Sequence, residues 1–156
     1  MTTGTLLGRA ISIASQVHEK QKDMGGNAYI LHPLRLMMRL RTEDQELMQI
    51  AVLHDSIEDS DGAVTIDILK AEGFSERVLA ALARLTHDKA TPYDEYVRYI
   101  STNKDAVMVK LEDLRDNSDI TRLKGLRAKD FERMEKYHRA YLFLTSALAA
   151  MERVGY

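Results

Sequence analysis

The chain has 156 residues, 45% of them apolar and 29% charged, with a formal net charge of −2 at pH 7 and no cysteine. That length suffices for one domain with its own core. The absence of cysteine excludes disulfides and thiolate chemistry and limits any metal site to nitrogen and oxygen ligands, while the slight acidity argues against a general nucleic-acid coat. No apolar run is long enough to span a bilayer. The amino terminus, Met1-Thr2-Thr3-Gly4-Thr5, lacks the charged region and apolar core of a secretory signal. A cytoplasmic protein with neither membrane nor nucleic-acid partner is expected.

Leu6 to about Lys22 has helical periodicity, with Leu7, Ala10, Ile11, Ala14 and Val17 on one face and His18 as a packing or hydrogen-bonding residue. Met24-Gly25-Gly26-Asn27 breaks the helix, since paired glycines are poor helix formers. A second helix starts around His32-Pro33, the proline fitting its first turn, and continues through Leu34, Leu36, Met37 and Leu40. Thr42-Glu43-Asp44-Gln45 is a capping-box pattern for a third helix, whose apolar run Leu47-Met48-Gln49-Ile50-Ala51-Val52 leads to His54. Asp59 to Val64 is a polar turn. Thr65 caps a short helix that stops near Gly73, and Ser75 caps another with Val78, Leu79, Leu82 and Leu85 on one side. Pro92 is expected at the first position of the next helix, which carries Tyr96, Val97, Tyr99 and Ile100. A further apolar segment runs from Ala106 to Leu114. The last helix runs from about Asp130 to Arg153, with Phe131, Met134, Tyr141, Leu142, Leu144, Leu148 and Met151 as its apolar positions. Val107-Met108-Val109 is β-prone but short, and no segment alternates as a strand does. The expected fold is a single all-α domain over residues 1–156.

The chemistry concentrates in Leu53-His54-Asp55-Ser56-Ile57-Glu58-Asp59. If the helix continues, Glu58 lies one turn beyond His54 and Asp55, and Asp59 one turn beyond Asp55. An imidazole and three carboxylates so placed repel unless a cation sits among them. The alternative is an exposed acidic helix end with one satisfied histidine. Metal sites draw on separate elements, and two other segments place a suitable group in an apolar context: His32 between Leu31 and Pro33, and Asp113 within Val109-Lys110-Leu111-Glu112-Asp113-Leu114, with Asn117 one turn on. The set His32, His54, Asp55 and Asp113 suits a divalent transition ion such as manganese, iron, cobalt or zinc. Such an ion lowers the pKa of bound water and polarises a phosphoryl oxygen. Glu58 and Asp59 are then candidates to orient that water or take its proton, and Lys110, Arg35 and Arg115 to offset phosphate charge. His87 and His138 lie in polar surroundings and are expected at the surface.

The order His, then His-Asp, then Asp resembles the HD phosphohydrolase superfamily. The flanking blocks resemble the hydrolase domain of RelA/SpoT proteins and the free-standing small alarmone hydrolases: His18-Glu19-Lys20-Gln21, Tyr29-Ile30-Leu31-His32-Pro33-Leu34-Arg35, Leu53 to Asp59, Leu85-Thr86, and Val109 to Asp113 with Asn117. The resemblance runs from the first helix to about residue 125. It implies a compact HD-domain helical bundle and one manganese ion on the residues matching His32, His54, Asp55 and Asp113. It also implies removal of the 3′-pyrophosphate from nucleotide alarmones by water handled at Glu58 and Asp59, with Asn117 near the nucleoside. The synthetase domain of the long RelA/SpoT proteins has no room in this chain of 156 residues, so alarmone synthesis is not expected.

One departure stands out. Relatives specific for guanosine carry an Arg-Lys pair in the loop after the first helix, where this chain has Asp23-Met24 followed by Gly25-Gly26. Asp23 and Met24 are therefore candidate base-contacting residues, and adenosine alarmones join guanosine alarmones as expected substrates. Two further readings stay open: an HD phosphatase acting on another nucleotide, such as a nucleoside monophosphate or NADPH, and a regulatory module that binds a nucleotide without turning it over. The sequence leaves the oligomeric state open.

Overall fold

The computed structural model describes residues 4–155; Met1 to Thr3, on which the reading of the amino terminus partly rests, lie outside them. The described residues form nine α-helices and a single 3₁₀ turn, with no strand. In order these are α1 (Leu6–His18), α2 (Leu31–Arg39), α3 (Gln45–Leu53), α4 (Ser56–Asp59), α5 (Ile66–Ala71), α6 (Glu76–Leu85), α7 (Tyr93–Ile100), α8 (Lys104–Asn117), the 3₁₀ turn Ile120–Arg122 and α9 (Ala128–Arg153). None is long and apolar enough to cross a membrane. The all-α expectation holds.

α3 is the central element, packed between α1, α2, α6 and α8. Its residues Ile50, Ala51, Val52 and Leu53 have no exposed surface, so apolar groups surround the helix on every side. Full burial of a large aliphatic side chain stabilises by about 1.5–3 kcal/mol, and Leu36, Leu82, Ile100, Leu114 and Leu144 close the core around it. This packing fixes the carboxyl end of α3, where the histidine-aspartate pair sits.

Local signals explain most helix ends. The Thr65 and Ser75 side chains accept from the amides of Ile68 and Val78, as expected of amino-terminal caps. At α3 the cap is Asp44, which accepts from Glu46 and Leu47, while Thr42 receives the Asp44 amide. Pro92 stands one residue ahead of its expected position, as the extended cap before Tyr93. α1 ends at His18, four residues short of expectation, because residues 21–29 fold into a closed loop. There Asp23 donates its amide to Asn27 O, Tyr29 donates to Gln21 O, and Gly26 adopts φ +86°.

Two expectations need correction. The helix of His54 does not continue: α3 stops at Leu53, Asp55 takes φ −102° and ψ −4°, and a separate short helix carries Glu58 and Asp59. On α9, Phe131 and Leu142 are exposed, at 61% and 53%. That helix lies on the outside of the bundle against α8 and α7 and buries only one narrow side, around Ala140 and Leu144.

Candidate metal centre and adjoining pocket

Three elements bring the site together. α2 supplies His32 in its first turn, the α3–α4 junction supplies His54 and Asp55, and α8 supplies Asp113. Ligand atoms of His32, His54 and Asp113 lie within 4.8 Å of one another, and all three residues are buried. His32 Nε2 is 3.0 Å from Asp113 Oδ1 and 3.6 Å from Asp55 Oδ2; His54 Nε2 is 2.9 Å from Asp55 Oδ2 and 3.5 Å from Asp113 Oδ1. Neither Nε2 makes a well-formed hydrogen bond despite these short distances. Two buried ring nitrogens and two carboxylates converging without hydrogen-bond geometry suit ligation of one cation better than pairing with each other. The residues therefore fit a divalent metal ion.

The opposite ring faces are fixed. His54 Nδ1 is 2.8 Å from Ala51 O, one turn back in α3, and His32 Nδ1 is 2.6 Å from Asp116 Oδ2. Such partners set which nitrogen faces a metal. Tyr29 Oη donates to Asp55 Oδ2 at 2.5 Å, and Asn117 Nδ2 donates to Asp113 Oδ1 at 2.8 Å. Lys110, itself buried, donates to Asp113 Oδ2 at 2.7 Å and lies over the Tyr96 ring. Burial raises the Asp113 pKa, but Lys110 and the two histidines outweigh it and hold the group well below the usual carboxylate range.

Glu58 and Asp59 follow Asp55 on the short helix α4 and lie near enough to feel its charge. Glu58 accepts from the His87 amide; Asp59 accepts from Gln21 Nε2 at 3.1 Å, and Gln21 is held in turn by His18. Partial burial, reinforced by Asp55, raises both carboxyl pKa values from their ordinary values. His87 was expected among polar surface residues, yet its ring stacks on Tyr96 with centroids 4.3 Å apart, half-buried; His138 is exposed as expected.

A 370 Å³ pocket opens beside His32 and Asn117. Asp23 and Met24 line it, together with Tyr29, Arg122, Arg133 and Tyr137. Asp23 accepts from Arg122 Nη1 at 3.2 Å. Arg35 does not face this pocket with a free charge: it makes a two-point pair with Asp116, Nε to Oδ1 at 2.9 Å and Nη2 to Oδ2 at 3.0 Å. Arg115 is not brought to the cluster. It is exposed, donates to Glu112 and to Tyr141 Oη, and stacks on the Tyr141 ring.

Sequence reasoning missed Tyr29, Asp116, Arg122, Arg133 and Tyr137. Asp116 had a readable signal: it sits three residues beyond Asp113 on the same apolar helix. Tyr29 lies three residues before His32, in the block already singled out, but no periodicity gave it a role. Arg122 from the 3₁₀ turn and Arg133 and Tyr137 from α9 reach the pocket from elements that no local pattern joins to His32.

No family model matches the chain. Among curated proteins it is similar to a guanosine-3′,5′-bis(diphosphate) 3′-pyrophosphohydrolase of Aquifex aeolicus, 31% identical over 119 residues, which is 70% of this chain and 17% of that protein. A zebrafish (Danio rerio) protein of the same description is 34% identical over 103 residues, 62% of this chain and 55% of that protein. The chain thus spans less than two thirds of either relative. Among solved structures it superposes on a metazoan ortholog of SpoT, described as hydrolysing ppGpp and acting in starvation responses. The TM-score is 0.73 at 18% identity, over 98% of this chain and 97% of that one.

Fold and site together define an HD-type helical domain with a buried histidine-aspartate centre able to hold a divalent metal ion. Within that class the chain is similar in sequence to the two ppGpp 3′-pyrophosphohydrolases and in fold to the metazoan SpoT ortholog.

Proposed function

We propose that this protein removes the 3′-pyrophosphate of nucleotide alarmones, guanosine or adenosine tetra- and pentaphosphates, in the cytoplasm. The reaction adds water across the bond between the 3′-oxygen and phosphorus: hydroxide goes to phosphorus, a proton goes to the 3′-oxygen, and pyrophosphate leaves. The observation that carries this reading is the convergence of His32 and His54 Nε2 with Asp55 and Asp113 oxygens next to a 370 Å³ pocket that His32 lines. The descriptions of both curated relatives support it.

In this reading His32, His54, Asp55 and Asp113 hold one ion, manganese in preference to iron, cobalt or zinc. A divalent ion supplies a lowered pKa for bound water and polarisation of a phosphoryl oxygen. Glu58 and Asp59, with raised pKa values, accept the proton of the attacking water and return one to the leaving oxygen. Lys110 neutralises charge next to Asp113, and Asn117 orients Asp113 while facing the nucleoside. The Asp23–Arg122 pair and Met24 form the wall that meets the base. A salt-bridged wall beside a thioether discriminates purines less than two free cations do, which favours acceptance of adenine.

A screen of 3′- and 5′-phosphorylated nucleotides with several divalent metals tests the proposal. Turnover confined to 3′-pyrophosphates and strongest with manganese is expected. Orthophosphate release from nucleoside monophosphates or NADPH would favour the phosphatase reading, and binding without turnover the regulatory one.

A further inference from the structure

The Asp116 carboxylate has no exposed surface, yet five donors surround it. His32 Nδ1 lies 2.6 Å from Oδ2, Arg35 binds both oxygens, Arg39 Nη1 lies 3.1 Å from Oδ1, and Arg122 Nη2 lies 3.3 Å from Oδ2. The Arg122 Nη2 group also donates to Asp116 O at 2.6 Å, and Nη1 reaches Asp23 in the pocket wall. Asp116 therefore sits where the chain joins α2, α8, the 3₁₀ turn and the pocket loop. None of the proposed chemical steps touches it.

His32 has one ring nitrogen on each side of this junction. An imidazole can present either nitrogen to a metal, and the partner of the other nitrogen decides which. The Arg35 fork fixes the carboxylate in two places, so its position is set independently of His32. The acceptor is then pre-placed to hold the Nδ1 proton and aim Nε2 at Asp55 and Asp113.

We propose that Asp116 is a positioning residue of the metal centre, locking the tautomer and direction of His32 from a carboxylate clamped by arginines. This rests on the metal reading given above. The test is manganese binding to metal-free protein without substrate, followed by the loss of the free-ion electron paramagnetic resonance signal. Asp116→Ala should raise the manganese Kd about 10–100-fold. Asp116→Asn, which keeps an oxygen, should fall between this and wild type. Arg39→Gln removes another partner of Asp116 but leaves the His32 bond, and should keep the wild-type Kd.

If the unopposed arginines prevent Asp116→Ala from folding, the double variant Asp116→Asn, Arg39→Gln removes the surplus charge and should show the weakened Kd. Unaltered affinity in a folded Asp116 variant, or an equal loss in Arg39→Gln, would overturn the proposal. A wild-type protein that takes up no ion would overturn the metal reading and this inference with it. Ion uptake with no effect of Asp116 would overturn this inference alone.

Discussion

Replacing Lys110 with methionine isolates the electrostatics of the centre. Methionine keeps most of the volume and removes the charge that lies 2.7 Å from Asp113 Oδ2. Both partners are buried, so Asp113 loses a compensating cation in a place where water cannot replace it. Breaking a buried pair from one side costs about 3–5 kcal/mol. The two histidines, 3.0 and 3.5 Å from Oδ1, offset part of that, which puts the metal-free cost at about 3 kcal/mol. For a chain of this size that lowers Tm by roughly 6–12 °C. A divalent ion on Asp113 supplies positive charge at the same carboxylate, so much of the loss should return when it binds. The assay is thermal unfolding of wild type and Lys110→Met, each in chelator and in excess manganese. Manganese should raise the Tm of the variant by clearly more than that of wild type. An equal or smaller gain in the variant would refute the placement of the ion beside Asp113.

Other substitutions separate chemistry, stability and recognition. Glu58→Gln and Asp59→Asn should still bind manganese and nucleotide but turn over about 10²–10⁴-fold more slowly; near-normal kcat in both would remove them from the reaction. Asp44→Ala should cost about 0.5–2 kcal/mol through loss of the α3 cap, with little added by the largely exposed pair to Arg77. Arg77, working against partial burial and helped by the helix amides, holds the Asp44 pKa below its ordinary value. Because the folded-state pKa is the depressed one, the stabilisation is complete above the ordinary carboxylate pKa and fades as pH falls through the folded-state value. Denaturant titrations of the two proteins should therefore converge in acid, and a gap that persists there would contradict this. In Asp23→Arg, Met24→Lys, the kcat/KM ratio of guanosine over adenosine 3′-pyrophosphates should rise. A strong guanosine preference in the wild type, unaltered in the variant, would mean that this loop does not read the base.

What could be read in advance follows the reach of each physical signal. Helix positions were legible because periodicity and caps are local: Thr65, Ser75 and the apolar run ahead of His54 act on residues within one turn. His32, His54, Asp55 and Asp113 stood out because each is a polar group in an apolar context, and such groups need partners wherever the chain folds. The break after Leu53 was not legible, since His54 and Asp55 are compatible with a continuing helix and only the packed core fixes where α3 stops. Arg35 read as a free phosphate ligand because its partner, Asp116, lies 81 residues away. The pairing of Asp23 with Arg122, 99 residues apart, was hidden for the same reason. The outer face of α9 misled because Phe131 and Leu142 fit a helical pattern that the bundle does not cover.

The measurement closest to the central claim is identification of the products by phosphorus NMR after incubation with guanosine and adenosine 3′-pyrophosphates and manganese. Pyrophosphate and a nucleotide with a free 3′-hydroxyl should appear, and both should vanish with chelator and in Asp113→Ala. Orthophosphate as the product, or turnover that survives chelation and the loss of Asp113, would contradict the account.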